Sequence, residues 1–491
     1  MVKERHEIEE LQEETICSSC IGEAYLSALV EKHESEQLCS YCGEEAPCLT
    51  LEALADAVET AFESHFERTA NQPNSYQYAM LRDKEIDYDW DRDGQQTVYA
   101  IMDAADISEE AAHDVQNILE YRNFDFEEAA LDDECEFSSD AHYEEVMPGD
   151  SDWRERWDYF ESLIKTEARF FSRTASGYLG ELFDKIENMR TADGTPLVVS
   201  AGPKSDITHL YRGRMFQSDE PLEEAISRPD RGLAAPPASA AGAGRMNARG
   251  ISVFYGATSP DIVLAEVRPP VGSKVALARF NIIRPLKLLD LSALDNVHES
   301  GSIFDAEYAN RLGRMAFLQT LSNRMAKPVM PDDQEMAYLP TQAISDYLAT
   351  ENKMQLDGIL FPSVQVGGDG VNLVLFHKAS RTREIDIPKG TEISARTYTQ
   401  YEDGPEPDYT VIEETPPEED ADEADERKKT GPRFSDMLGM DWEDYADYDP
   451  REKTLEIDLD SVTVHEVRSV RIDTGSYSVK RHRWEKKDPP F

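Results

Sequence analysis

Residues 357–376, with the sequence DGILFPSVQVGGDGVNLVLF, contain the pattern that decides the fold of the central domain. Two short apolar runs, Ile359–Phe361 and Leu373–Phe376, are typical of short β-strands, and the first lies between Gly358 and Pro362. Similar strand signals occur upstream, at Ile251, Val253 and Tyr255, at Val275 and Leu277, and at Leu286 and Leu288. Helical segments separate them. We therefore predict an α+β or mixed α/β domain over residues 205–395.

The preceding residues, 51–195, have helical periodicity instead. Apolar side chains recur every three or four residues on one face of the first helix, at Leu51, Leu54, Ala55, Val58, Phe62 and Phe66. Ser108 is suited to cap the start of a second helix. A third helix carries Trp153, Trp157, Phe160 and Ile164 along one side. This pattern predicts an all-α domain, joined to the central domain by a linker over Thr191–Asp206.

The composition changes again after the central domain. Residues 401–449 are rich in Glu, Asp and Pro, which predicts a flexible acidic linker within residues 396–450. Beyond it, apolar residues alternate with polar ones at Leu455, Ile457, Leu459, Val462 and Val464. We expect residues 451–491 to form a short β extension, a terminal strand pair that docks on another domain.

The first 50 residues contain four cysteines in two close pairs. Cys17 and Cys20 form one C-x2-C pair, Cys39 and Cys42 form the other, and 18 residues separate the pairs. This spacing is typical of a four-thiolate zinc site, and Gly43 follows the second pair where a tight turn is needed. Such a site is closed, so we expect structural Zn²⁺ in a zinc ribbon-like segment over residues 1–50.

The chain is long and strongly acidic. Its 491 residues exceed the ~250–300 that one hydrophobic core supports, so several domains are expected. Asp and Glu number 99 against 50 Lys and Arg, a formal net charge of −49. This surface repels nucleic acids and anionic membranes, which argues against both as partners. No signal peptide or membrane-spanning run is evident, and we expect a cytoplasmic protein.

A series of short motifs in a fixed order runs through residues 207–380. They are Leu210-Tyr211-Arg212, Gly244-Arg245-Met246-Asn247, Phe254-Tyr255, Ala265-Glu266-Val267, Tyr338 to Gln342, and the stretch quoted above. This order is similar to that of the RES-domain family, named for an Arg, a Glu and a Ser that correspond here to Arg212, Glu266 and Ser363. The chain resembles the long members of the family, in which a HEPN-like helical domain comes first.

The resemblance implies an ADP-ribosyltransferase-like fold and NAD⁺ as the substrate. Family members consume NAD⁺ by phosphorolysis, hydrolysis or transfer, and several act as toxins of toxin-antitoxin pairs. The expected activity is therefore that of an NAD⁺ phosphorylase, an NAD⁺ glycohydrolase or an ADP-ribosyltransferase, with an antitoxin or a target protein as partner. The helical region lacks the Arg and His pair of HEPN ribonucleases, which indicates a regulatory or structural role for it.

The chemistry of NAD⁺ cleavage fits Glu266. Breaking the bond between nicotinamide and ribose builds positive charge on the sugar, which a nearby carboxylate stabilises. Ser259, Pro260 and Asp261 are typical of a helix start, which places Glu266 in the second turn. On spacing alone, Glu266 is equally an ordinary surface residue of that helix, and only the motif set favours catalysis.

The other candidates have two interpretations each. Arg212 has the planar guanidinium that clamps phosphates or ribose, and Arg245 with Asn247 either extends that clamp or fixes a loop. Tyr255 either contacts the nicotinamide or sugar or packs as a strand residue. Ser363 is expected to position Glu266 or the nicotinamide amide, and not to act as a nucleophile, because no partnering His base is evident.

A second function class stays open. The central domain could be a catalytically inactive interaction module, with the zinc and helical segments binding a protein partner. The joint presence of Arg212, Glu266 and Ser363 favours the enzyme.

Overall fold

The computed structural model of the chain describes residues 5–32, 35–83, 85, 87–125, 134–327, 329–363, 365, 370–417, 449–471 and 474–484. They form two compact units, which agrees with the expected multidomain organisation. The first unit contains Met1–Leu197 and Ala293–Met325, and the second contains Val198–Ser292 and Ala326–Phe491.

The first 197 residues are mainly helical. The helices are α1 (Arg5–Glu13), α2 (Ala24–Glu31), α3 (Leu51–His65), α4 (Ser75–Arg82), α5 (Thr97–Ala105), α6 (Glu109–Arg122), α7 (Ser151–Thr166) and α8 (Arg173–Leu182). The strands are β1 (Thr15–Cys17), β2 (Glu36–Leu38), β3 (Glu45–Thr50), β4 (Phe66–Arg68), β5 (Gln95–Gln96), β6 (His142–Glu145) and β7 (Arg190–Thr191).

Strands dominate the rest of the chain. They are β8 (Val198–Ala201), β9 (His209–Phe216), β10 (Phe254–Ala257), β11 (Lys274–Ile282), β12 (Leu286–Asp290), β13 (Val297–His298), β14 (Gly358–Pro362), β15 (Val371–Leu375), β16 (Thr382–Arg383), β17 (Glu392–Tyr401), β18 (Gly404–Glu414) and β19 (Leu455–Glu466). The helices are α9 (Asp219–Ser227), α10 (Pro229–Gly232), α11 (Pro260–Val267), α12 (Leu291–Leu294), α13 (Tyr308–Ala326), α14 (Gln334–Ala337) and α15 (Leu339–Thr350). Within the described ranges, no helix has the length and apolar character needed to span a membrane.

The core of the first unit follows the predicted helical faces. Leu51, Leu54 and Val58 of α3 are fully buried, together with residues of α5 and α6. The Ser108 hydroxyl accepts a hydrogen bond from the Ala111 amide and caps α6, as predicted. The expectation of an all-α domain is wrong in one respect, because β4, β6 and β5 form a three-stranded sheet. The predicted linker over Thr191–Asp206 is also partly structured, since it contains β8.

Helix α13 belongs to the first unit although it interrupts the predicted central domain. The rings of Phe317 and Trp157 are 5.6 Å apart, and the Trp153 indole N–H donates to Asn310 Oδ1 at 3.2 Å. The Arg314 guanidinium donates to the Asp184 carbonyl at 3.1 Å. The central domain is therefore not one continuous segment over residues 205–395, because residues 293–325 pack with residues 1–197.

The second unit is built on a mixed nine-stranded sheet with the order β16-β19-β11-β9-β10-β15-β14-β12-β8. Neighbouring strands are antiparallel except for β12 with β14 and β16 with β19. The strands predicted around residues 255, 277, 288, 360 and 374 are all present. Alternate side chains from both runs of the quoted stretch enter the core of this sheet.

The C-terminal predictions need correction. Strand β19 pairs with β11 inside the large sheet, so the extension docks on the central domain as expected, but within the described residues it does so as one strand and not as a strand pair. Strands β17 and β18 form a hairpin within residues 392–414, where the sequence predicted the start of the acidic linker. Residues 418–448, the rest of that predicted linker, lie outside the described residues.

Helix α11 lies over the sheet next to β9 and β10. Ser259 caps it by accepting a hydrogen bond from the Ile262 amide, and Pro260 occupies the first helical position, as the sequence predicted. Ile262 and Val263 pack against Ala257 of β10 and Leu277 of β11. This packing fixes the helix that carries Glu266.

The packing of α13 with the first unit predicts how fragments of the chain behave. A fragment of residues 198–491 keeps α13 but loses Trp153 and Trp157, so Phe317 and its apolar neighbours are exposed. We expect this fragment to self-associate and to bind a hydrophobic dye, because a large exposed apolar patch promotes aggregation. The same fragment with residues 293–325 replaced by a flexible linker should be less aggregated. Size-exclusion chromatography distinguishes the two, and a dye-silent, monomeric 198–491 fragment would contradict the prediction.

Candidate active site

Glu266 is held by two side chains that both bind one of its carboxylate oxygens. Ser363 Oγ donates to Glu266 Oε1 at 2.7 Å, and Asn372 Nδ2 donates to the same oxygen at 2.6 Å. Both donors are buried, whereas Glu266 itself is half-buried. No described residue forms a hydrogen bond with Oε2. The carboxylate is thus fixed in orientation and keeps one oxygen available for a ligand.

The two donors come from neighbouring strands of the sheet. Ser363 follows Pro362 at the end of β14, and its amide donates to the Gly370 carbonyl at 2.7 Å, which closes the segment that joins β14 to β15. Asn372 lies in β15 opposite Ala257 of β10. Sequence reasoning did not assign Asn372 a role, although a polar residue inside the apolar run VNLVL was a usable signal, because buried polar groups need a partner.

Arg212 brings a buried positive charge to the same place. Its Nη1 donates to the Tyr255 carbonyl at 2.7 Å, and its guanidinium lies 5.0 Å from the centre of the Phe254 ring. Burial, helped by nearby Arg214, lowers the pKa of Arg212 to about 10, so the side chain stays protonated at neutral pH. In the described part of the chain it has no carboxylate partner. A buried cation without an ion pair is suited to bind an anionic ligand.

Asn247 and Tyr255 hold each other. The Tyr255 hydroxyl donates to Asn247 Oδ1 at 2.9 Å and accepts a hydrogen bond from the Met246 amide. Asn247 Nδ2 in turn donates to the carbonyls of Gly242 and Ile251. Because these bonds engage both ends of the amide, the structure favours the loop-fixing alternative for Asn247 over a direct contact with substrate.

The loop that carries Arg245 is fastened along its backbone. Gln342 Nε2 donates to the Gly244 carbonyl at 2.8 Å, and Arg245 Nη1 donates to the Lys327 carbonyl at 2.9 Å. A Cβ atom on Gly244 would lie 2.7 Å from the Tyr255 hydroxyl, so glycine is required there. These contacts fix the second half of the loop over residues 242–247.

These elements surround a cavity of about 380 Å³ in the second unit. Its lining includes Arg212, Arg245, Tyr255, Glu266, Arg268, Tyr338 and Asn372. Three arginines and one glutamate give it a positive balance, in a chain whose formal net charge is −49. Ser363 and Asn247 do not line the cavity themselves, but Ser363 donates a hydrogen bond to Glu266 and Asn247 accepts one from Tyr255, and both partners do line it. Sequence reasoning missed Arg268, which directly follows α11.

The site combines a carboxylate of fixed orientation, that of Glu266, with a half-enclosed cavity lined by three arginines. Such a cavity can bind an anionic ligand through the arginines and place the free oxygen of Glu266 against a group that becomes positive. Residues 218–399 match the family model described as RES domain. The chain contains a RES domain.

The RES-domain match includes two of the three predicted catalytic residues. Glu266 and Ser363 lie inside it, and Arg212 lies six residues before its start. The match confirms the predicted RES domain and supports an NAD⁺-related enzyme in general terms. Neither the search of curated proteins nor that of solved structures found a match for this chain.

The RES-domain protein also has a four-cysteine cluster near its N-terminus. The sulfurs of Cys17, Cys20, Cys39 and Cys42 all lie within 4.8 Å of one another. Cys17 ends β1, and the backbone at Gly43 has a φ of 74°, the turn that the sequence predicted. This quartet has the composition and closeness of a site that could hold a metal ion.

The environment of Cys39 favours its thiolate form. Burial alone raises the pKa of Cys39, but backbone N–H groups of Cys42, Tyr41 and Cys17 outweigh this effect and lower it to about 6. Metals bind the thiolate and not the thiol. The backbone around the second cysteine pair is therefore arranged as it would be around a metal-bound sulfur.

Proposed function

We propose that this RES-domain protein is an enzyme that cleaves NAD⁺ at the bond between nicotinamide and ribose. The observation that carries the proposal is the Glu266 carboxylate, with Oε1 engaged by Ser363 and Asn372 and Oε2 available inside an arginine-lined cavity. An ordinary surface glutamate would not need two buried donors. The same observation disfavours the inactive interaction module.

The reaction breaks the bond between C1′ of the ribose and the ring nitrogen of nicotinamide. The bonding electron pair goes to that nitrogen, so the positively charged ring becomes neutral nicotinamide and positive charge develops on the sugar. The free oxygen of Glu266 is proposed to lie against this charge or to bind the 2′-hydroxyl. A carboxylate that is already oriented stabilises the developing cation without a reorganisation cost.

The remaining residues are proposed to bind and position the substrate. Arg212 holds a phosphate or the ribose through its guanidinium, and Arg245 adds positive charge at the rim. Tyr255 contributes its ring to the cavity, because its hydroxyl is already occupied by Asn247 and Met246. Ser363 positions Glu266 and is not a nucleophile, since its hydroxyl proton already points to the carboxylate.

The proposal covers three acceptors. Phosphate, water and a protein side chain can each attack the same anomeric carbon, which would make the protein an NAD⁺ phosphorylase, an NAD⁺ glycohydrolase or an ADP-ribosyltransferase. An ADP-ribosyltransferase-like fold, a cytoplasmic location and a HEPN-like character of residues 51–195 belong to the same proposal. So does the role of a toxin with an antitoxin or target protein as partner.

We also propose that the four cysteines hold one structural Zn²⁺. The Cys17 and Cys42 sulfurs are 3.6 Å apart, and those of Cys20 and Cys39 are 3.8 Å apart. Four sulfurs at tetrahedral Zn–S bonds of ~2.3 Å lie about 3.8 Å from one another. The quartet thus fits the ion, and a site with four thiolates has no open position for catalysis.

The role of Glu266 predicts distinct kinetics for two substitutions. Glu266→Gln keeps the shape and the Ser363 bond but removes the charge, so kcat should fall ~10²- to 10³-fold with little change in KM. Arg212→Ala should raise KM strongly, because a phosphate clamp acts in the ground state and transition state alike. Nicotinamide release is the readout.

The matched control is Glu220→Gln, on the exposed first turn of α9. It removes the same charge away from the cavity, and its kcat and KM should stay at the wild-type values. A near-normal kcat for Glu266→Gln would remove Glu266 from the mechanism.

The zinc proposal predicts about one zinc per chain in elemental analysis of the purified protein. Cys42→Ser should lower the zinc content and the melting temperature, because bound metal stabilises the folded segment. Cys135→Ser is the control, since Cys135 is outside the quartet. Less than about a tenth of an equivalent of zinc, with all thiols reduced, would refute the assignment.

A further inference from the structure

A second, larger cavity adjoins the candidate active site. It has a volume of about 910 Å³ and lies between the end of α11 and the segment that follows β19. Leu264, Ala265 and Arg268 line one side, and residues 465–471 line the other. Arg268 also lines the smaller cavity that contains Glu266, so the two cavities meet at this side chain.

The segment that follows β19 is fastened to the RES-domain sheet. The Gly272 amide donates to the Val467 carbonyl at 2.9 Å, and the Val467 amide donates to the Ser273 carbonyl at 3.0 Å. These bonds continue the pairing of β19 with β11 past the last strand residue. Residues 465–471 lie outside the 218–399 range of the RES match.

The second cavity is lined by cationic side chains without partners. Arg268, Arg468 and Arg471 form no ion pair or side-chain hydrogen bond with any described residue, and all three are exposed. The cavity has one carboxylate, Glu466, which already accepts a hydrogen bond from the Tyr409 hydroxyl at 2.8 Å.

The sequence around residues 465–471 is also basic. Residues 467–484 contain five Lys and Arg against one Asp, in a chain with a formal net charge of −49. A basic cluster in so acidic a protein concentrates anions locally.

The backbone of Arg268 gives a second indication. Its φ is 48°, in the left-handed region that favours glycine, immediately after the last residue of α11. Glycine would adopt this conformation at lower cost, whereas Arg268 places a cation at the junction of the two cavities. Strain of this kind at a ligand cavity is a reason to look for function.

We propose that the second cavity is a phosphate subsite formed by Arg268, Arg468 and Arg471. The inference rests on the proposed function, in which the smaller cavity receives the nicotinamide and ribose. A cavity of about 380 Å³ lies at the small end of the range for a single ligand, ~300–1,000 Å³, and a dinucleotide has a second nucleotide to place. The phosphate is either part of that nucleotide or free phosphate that serves as acceptor.

A small phosphate ligand suits this site better than a nucleic acid. The arginines face a concave space and not an extended surface, and the rest of the chain would repel a long polyanion. The guanidinium fork also binds phosphate oxygens in pairs, which a small ligand in a cavity can satisfy.

The test measures binding by the full-length chain, with ADP and inorganic phosphate as probes in separate calorimetric titrations. Neither probe contains the nicotinamide bond, so the result does not depend on turnover. The Arg468→Ala/Arg471→Ala double variant should bind at least one probe about tenfold more weakly, since each lost charge-assisted contact contributes on that order. Arg468→Lys/Arg471→Lys should fall between this variant and the wild type.

The matched control is Lys480→Ala/Arg481→Ala, which removes two positive charges from the same segment outside both cavities. It should bind both probes as the wild type does. Loss of ADP binding in Arg468→Ala/Arg471→Ala identifies the nucleotide phosphates as the ligand, and loss of phosphate binding alone identifies free phosphate.

Two results would overturn the subsite. One is wild-type affinity for both probes in Arg468→Ala/Arg471→Ala. The other is a Lys480→Ala/Arg481→Ala variant that binds the probes as weakly as Arg468→Ala/Arg471→Ala, in a chain that binds a single-stranded oligonucleotide more tightly than ADP. That result would assign the whole basic segment to nucleic-acid binding. Arginine-dependent ADP binding by a chain that leaves NAD⁺ intact would keep the subsite and refute the proposed reaction.

Discussion

The candidate active site depends on one small hydrogen-bond arrangement, in which Ser363 and Asn372 both donate to the same oxygen of Glu266. It requires that α11 lie over the sheet beside β10 and β15, and that the chain leave β14 at Ser363. The apolar contacts of Ile262 and Val263 supply the first condition. A carboxylate with one oxygen engaged and one free is oriented before the substrate arrives, which is the main way in which electrostatic catalysis lowers a barrier.

The cavity that contains Glu266 has an excess of positive charge, whereas the whole chain is strongly acidic. Three arginines line it in a protein with 49 more acidic than basic residues. Burial lowers the pKa of Arg212 at this position, yet the side chain remains charged at neutral pH. Local clusters of this kind let an acidic protein bind an anionic dinucleotide while its remaining surface repels larger polyanions.

The sequence predicted the parts of the fold that local patterns encode. Ser259 and Pro260 define the start of α11 because capping involves neighbouring residues, and the strands near Leu360 and Val374 follow from short apolar runs. What the sequence did not predict depends on contacts between distant segments. The packing of residues 293–325 with residues 1–197, the pairing of β19 with β11 and the position of Arg268 between two cavities have no local signature. For the hydrogen bond from Asn372 to Glu266, the sequence signal is a polar residue in an otherwise apolar strand.

The most direct measurement of the proposed activity is incubation of the purified full-length chain with NAD⁺, followed by mass analysis of both products. Water, phosphate and candidate acceptor proteins are offered in turn. We predict free nicotinamide in equal amount to a ribosyl product, whose mass identifies ADP-ribose, its 1″-phosphate or a modified protein. An NAD⁺ pool that stays intact under all three conditions would contradict the proposed cleavage and leave the RES domain as a binding module.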